Sequence, residues 1–247
     1  MTGTAVAGRT DFAWPYDTET LVQRGVELQT WIVELDHQGK GMVDRQETDV
    51  WWETLIGVTD QLELSIPMIF RWEQRSNPDS SNVFTFDRYG LEARYRFVEP
   101  DSDPETAPAW VPLVRVAAFR EVAHRGGVGF EGDAVVSFTS GRIHAVADAR
   151  FAYVHLDLSQ EAITAGARDD EYYAAPSAGV SVQTVGDLRL GVEAYAQIAL
   201  TGSHDDDFYI AGPDLAWTHG RFWITATAGI GLKGIHAAPR VIWGVLF

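Results

Sequence analysis

Alternation with a period of two residues runs to the final residue of this chain. It limits the fold to extended strands that present two unlike faces. Residues 239–247 read Pro-Arg-Val-Ile-Trp-Gly-Val-Leu-Phe, which puts Val241, Trp243, Val245 and Phe247 on one face. The stretch from Leu62 shows the pattern most clearly. There Leu62, Leu64, Ile66, Met68, Phe70 and Trp72 alternate with Glu63, Ser65, Pro67, Ile69, Arg71 and Glu73.

The same parity predicts strands over about 25–36, 48–58, 62–73, 83–98, 110–122, 128–139, 142–156, 172–185, 188–200, 208–218, 221–232 and 239–247. In the fifth of these the pattern slips near Arg120, where a bulge is expected. Tight connections are expected at 59–61, 140–142, 185–187 and 218–220, and longer ones at 36–46, 75–82, 158–170, 201–207 and 233–238. The acidic, Pro-rich stretch 99–108 is a long connection on the otherwise tight side.

A soluble β-sandwich would pack branched apolar side chains inward and expose Lys and Thr. Here one face holds Leu, Val, Phe, Trp and Ala, while the other pairs Arg with Glu and Asp. A face of ion pairs cannot line a dry apolar core, but it can line a wet lumen. The expected fold is therefore all-β: a single transmembrane antiparallel up-and-down β-barrel of about twelve strands, with both termini periplasmic. Residues 24–247 would form the barrel, and residues 1–23 a periplasmic N-terminal segment, either a tail or a partial plug. Trp72, Tyr89, Tyr153, Tyr172, Trp217 and Trp243 fall near predicted strand ends, where interfacial aromatic girdles sit.

Bulk composition narrows the function. Mean hydropathy is only −0.10 because the two faces cancel. No apolar run approaches the roughly 18–20 residues of a spanning helix. A net charge of −16 argues against a nucleic-acid partner. The acidic runs 101–103, 169–171 and 205–207 read as solvated loops, or else as cation attractors at a pore mouth. The absence of cysteine removes disulfides, thiolate metal sites and thiol nucleophiles. The first residues lack the basic and apolar regions of a signal peptide, so a leader removed ahead of this sequence is expected.

Phe12-Ala-Trp-Pro-Tyr-Asp-Thr-Glu-Thr-Leu21 with Gly25-Val-Glu-Leu28, Gly57-Val-Thr-Asp-Gln-Leu-Glu-Leu64 and Tyr89-Gly-Leu-Glu-Ala-Arg-Tyr-Arg-Phe97 together resemble a known family. It is the outer-membrane transporter barrels labelled "MetA-pathway of phenol degradation". The resemblance spans about residues 12–160. It implies passive transport and brings no catalytic residues with it.

Parity places Asp49, Glu53, Glu63, Glu73, Glu92, Glu131, Asp133, Asp148, Glu193 and Asp214 in the lumen. Facing them are Arg71, Arg88, Arg94, Arg96, Arg115, Arg150, Arg189, Arg221 and Arg240. Guanidinium groups pair carboxylates bidentately and stay charged, so these residues form either a stiffening lattice or a selective pore lining. Arg88, Glu92, Arg94 and Arg96, all on one strand, are the candidates for pore tuning. A lipid hydrolase on a barrel of this size would need a Ser–His pair near the outer rim. His155, Asp157, Ser159 and His204 are the nearest residues of that kind, but side chains two apart on a strand are about 6.6 Å apart. The seven His residues are scattered, with no metal spacing, and His144 is expected to bond Asp148. The expectation is a monomeric, non-enzymatic outer-membrane channel, surrounded by membrane lipid and lipopolysaccharide, passing a small solute without cofactor or metal. A hydrolase and a non-conducting structural barrel are the alternatives.

Overall fold

The computed structural model describes residues 10–37, 44–76, 81–98, 109–122, 126–158, 169–201 and 207–247. Its strands are β1 (Val26–His37), β2 (Asp44–Gly57), β3 (Leu62–Ser76), β4 (Ser81–Arg96), β5 (Trp110–Glu121), β6 (Val128–Ser140), β7 (Ile143–His155), β8 (Asp170–Gln183), β9 (Leu188–Ala199), β10 (Phe208–His219), β11 (Phe222–Lys233) and β12 (Ile235–Leu246). Each is antiparallel to the next in sequence, and β12 returns to pair with β1, closing the barrel. Closure leaves no edge strand with unpaired backbone groups. It is sealed at the C-terminus, where Glu27 pairs with Leu246 and the amide of Phe247 donates to the carbonyl of Val26 at 2.8 Å. The end holding the start of β1 and the finish of β12 is the terminal end; the opposite end is the far end.

Parity sets which face points where. Leu28, Trp52, Ile66, Leu91, Val116 and Val192 are exposed on the outer wall, among many others of their kind. Glu27, Glu53, Glu63, Arg115, Asp133 and Glu193 are buried inside it. An outer surface so continuously apolar is unsuited to water and suited to hydrocarbon. Aromatic pairs rim it at both ends: Tyr153 with Tyr172 at the far end (5.0 Å) and Trp110 with Phe138 at the terminal end (4.8 Å). Tyr89, expected in a girdle, lies mid-strand in β4.

Two local expectations are corrected. β5 has no slip: inward and outward residues alternate without a break from Trp110 to Glu121, with Phe119 inward, Arg120 outward and Glu121 inward. A bulge lies instead between β3 and β4, where Ile69 pairs with Arg88 but Phe70 pairs with Phe86, and the register also shifts at Asp36–His37 against β12 and at Tyr209–Ile210 against β11. The extra residue in β4, Asp87, joins Arg88 in facing the lumen, the re-aiming that a bulge produces. The connection expected at 233–238 is Gly234 alone, with φ of +74°, since a Cβ there would meet the Asp207 carbonyl oxygen at 2.1 Å. The stretch 99–108 lies outside the described residues.

Prolines interrupt the ladders locally. The β3–β4 pairing steps over Pro67, and the β10–β11 pairing steps over Pro213, as expected of residues without an N–H to donate. The outer wall yields a direct test. Val116 sits mid-strand in β5 with 58% of its surface exposed. Val116→Arg should destabilise the barrel in lipid vesicles by about 2–4 kcal/mol, read from reversible denaturant unfolding.

Candidate functional site

The lumen is built from the wall inward. Residues 10–21 enter from the terminal end, cross the barrel and leave beside β2, and most of them are buried. Such a segment carries backbone amides without helix or sheet partners, and these must be satisfied inside the wall. Wall carboxylates do this. Glu193 Oε2 accepts the amides of Ala13 and Trp14 at 2.9 and 3.1 Å, Asp148 accepts that of Tyr16 at 3.3 Å, and Glu63 accepts that of Leu21 at 2.9 Å. The Thr10 carbonyl accepts the Thr225 hydroxyl at 2.6 Å, and Asp11 pairs with Arg189 at 2.7 Å. Phe12 is fully buried against Gly179, where any Cβ would lie 2.4 Å from its ring. At the exit the carbonyl of Val22 approaches Gly57 so closely that a Cβ there would meet it at 2.1 Å.

Above the segment lies a connected charge lattice. Arg115, fully buried, reaches Glu92 at 2.7 Å, Glu131 at 2.9 Å and Asp133 at 2.6 Å. Arg150 joins Asp133 at 2.7 Å, and Arg94 joins Glu92 at 2.7 Å and Glu63 at 3.5 Å. The Tyr16 ring sits against all three guanidinium groups, 4.4 Å from Arg115, 4.7 Å from Arg94 and 4.8 Å from Arg150. The lattice therefore clamps the segment as well as the wall.

Toward the far end the lumen widens into a vestibule of about 450 Å³. One wall, from β2 to β6, is charged: Arg71 holds Asp49 at 2.8 Å and Glu47 at 3.0 Å, and Arg88 lies within 3.7 Å of Glu121 and Glu131. The other wall, from β1 and β8 to β10, presents Trp31, Val33, Leu35, Tyr195 and Phe208. Trp14 and Arg240 lie at its floor. Arg240 stands over Trp31 at 4.2 Å and Trp14 at 4.9 Å.

The candidate lining residues divide by depth. Arg71, Arg88, Glu131, Arg150 and Arg240 line the vestibule, while Glu63, Glu92, Arg94, Arg115, Asp148 and Glu193 hold the lattice or the segment. Glu53 accepts from Ser65 at 2.5 Å, Arg189 serves Asp11, and Arg96 is half-buried near the terminal end of β4. Arg221 is not in the lumen. It follows Gly220 in the β10–β11 turn before β11 begins, and it is exposed at the terminal rim. Sequence parity missed Asp87, hidden by the bulge, Glu121, hidden by the supposed slip, and Glu47, which precedes the predicted start of β2.

His144 does not bond Asp148, which lies four residues along the same strand, about 13 Å away. It bonds Asp17 of the segment at 3.0 Å and Thr139 at 2.8 Å. Asp11, Asp17 and His144 lie together, but Asp11 is engaged by Arg189 and Asp17 by His144. Of the hydrolase residues, His155 meets Asp170 at 3.0 Å rather than Asp157, and Ser159 and His204 lie outside the described residues.

No protein-family model matches the sequence, and no curated protein matches it. Solved structures do. The COG4313 outer membrane channel from Pseudomonas putida F1 matches with a TM-score of 0.63 at 11% identity, over 94% of this chain and 99% of that one. The translocator domain of the autotransporter NalP from Neisseria meningitidis matches with a TM-score of 0.54 at 14% identity, over 90% of this chain and 87% of that one. The KdgM porin, solved with disordered oligogalacturonate, matches with a TM-score of 0.50 at 8% identity, over 90% and 98%. At these identities the likeness establishes the barrel fold.

Arg115 supplies the test of the lattice. Arg115→Met leaves Glu92, Glu131 and Asp133 buried with their shared cation removed, and it should cost about 3–5 kcal/mol of stability by denaturant unfolding.

Proposed function

We propose that this barrel is a monomeric outer-membrane channel for small solutes, resting with its terminal half occupied by its own N-terminal segment. The observation that carries this reading is the division of one lumen: an accessible far-end vestibule of about 450 Å³ above a segment tied to the wall by carboxylates. In this reading the terminal end faces the periplasm, because its turns among the described residues are short. The apolar outer wall supports insertion in a bilayer, and the likeness to outer-membrane channel barrels supports the bacterial outer membrane as its location. The resemblance of residues 12–97 to the "MetA-pathway of phenol degradation" barrels, which no family model supports, would agree with passive transport. The aromatic wall of the vestibule favours solutes with an apolar part.

Chemistry on bonds finds little support. The rim His155 is exposed and hydrogen-bonded to Asp170, which also accepts the Tyr153 hydroxyl at 2.8 Å. Among the described residues that cluster brings no Ser hydroxyl to His155.

Conductance in planar bilayers tests the channel and its segment together. The unaltered protein should give small discrete steps. Gly179→Leu, which drives a side chain into the place of Phe12, should raise the conductance several-fold as the segment is displaced. A folded barrel that is silent in both forms would overturn the channel reading and leave a structural barrel.

A further inference from the structure

We infer that the vestibule contains an anion site at Arg240, built to hold the carboxylate of an amphiphilic organic acid. The inference rests on the vestibule serving as the solute's entry chamber and names the class of solute. Five arginines line this chamber: Arg45, Arg71, Arg88, Arg150 and Arg240. Four of them have carboxylates within 4.0 Å. Arg240 has none among the described residues, and its Nε has no hydrogen-bond partner there. It is nonetheless 94% buried, with 6% of its surface exposed.

A buried guanidinium without a counter-charge is costly. The faces of Trp31 and Trp14 offset part of that cost through their π-electrons. They do so without satisfying the in-plane N–H donors, which remain suited to a planar two-oxygen acceptor. The nearest wall acid, Glu193, acts on Arg240 through space but makes no contact within 4.0 Å, and its Oε2 is directed to the amides of Ala13 and Trp14. A carboxylate in direct contact with the guanidinium is therefore left for a ligand to supply.

The surroundings specify the rest of that ligand. From Trp31 the inward face of β1 continues through Val33 to Leu35, an apolar strip about 13 Å long that leads from the guanidinium toward the mouth. Phe208 faces the same chamber. A carboxylate at Arg240 would lay an apolar body along this strip, in a cavity whose volume suits a small ligand. A neutral alcohol of the same length would keep the strip and lose the charge. An ammonium would meet a guanidinium of its own sign.

Octanoate, octanol and octylammonium, titrated calorimetrically into barrel-containing vesicles and into protein-free vesicles, test the site. Octanoate should bind at least tenfold tighter than either of the others after subtraction of the vesicle signal. Arg240→Gln should abolish that preference, and Arg240→Lys should retain part of it. Equal binding of octanoate and octanol by the unaltered protein would overturn the proposal. So would a preference that survives in Arg240→Gln. Should the Gln variant fail to fold, Arg240→Lys carries the test, and a preference undiminished in it would overturn the proposal. A barrel that prefers octanoate but carries no current keeps this site and loses the channel reading; a conducting barrel without the preference does the reverse.

Discussion

Arg115 is the interaction on which the rest of the lumen depends. Its guanidinium is removed completely from solvent and joins carboxylates from β4 and β6 while also meeting the ring of Tyr16. A charge in that position is tolerable only with its full set of partners. The partners in turn are held by Arg94 and Arg150, so the lattice stands or falls as a unit. It bridges several strands from inside, adding to the hydrogen-bonded ladders a second set of ties across the lumen.

The carboxylates of this lattice and its surroundings have a second use. An irregular segment threaded through a barrel brings unsatisfied amides with it, and Glu63, Asp148 and Glu193 accept them. The excess of acid over base in the sequence therefore has a structural outlet inside the wall, not only in solvated loops. The same accounting explains Arg240. With Glu193 Oε2 turned to the segment, that arginine has two indole faces against it and no carboxylate in contact.

Much of the barrel was legible in the sequence because alternation encodes it directly. Parity alone places Glu63, Arg71, Glu92, Arg115, Asp133 and Arg150 inside, since each sits in an unbroken run of alternating residues. It failed where one residue changes the count. The bulge at Asp87 reverses parity between Phe86 and Arg88 and leaves no mark in composition, because Asp-Arg reads equally well on either face. The supposed slip at Arg120 had the opposite origin: an outward arginine near a strand end suggested a fault that the backbone does not have. The placement of residues 10–21 lay beyond alternation altogether. Their aromatics, Phe12, Trp14 and Tyr16, repeat every second residue as a strand's would, yet residues 10–21 form no strand, so the period gave no sign of where they lie.

The single-glycine turn at Gly234 shapes the vestibule's lip. β11 and β12 meet there with no intervening loop, so that hairpin ends as bare wall. Arg240 lies five residues below this edge on β12, a descent of about 17 Å along a tilted strand. Because the strand tilts, the lip stands less than that path above the arginine, and a carboxylate ligand shorter than that height would sit wholly below it. A longer one must leave its tail projecting past the hairpin. The height of one strand above one arginine thus acts as a ruler for what the chamber can enclose.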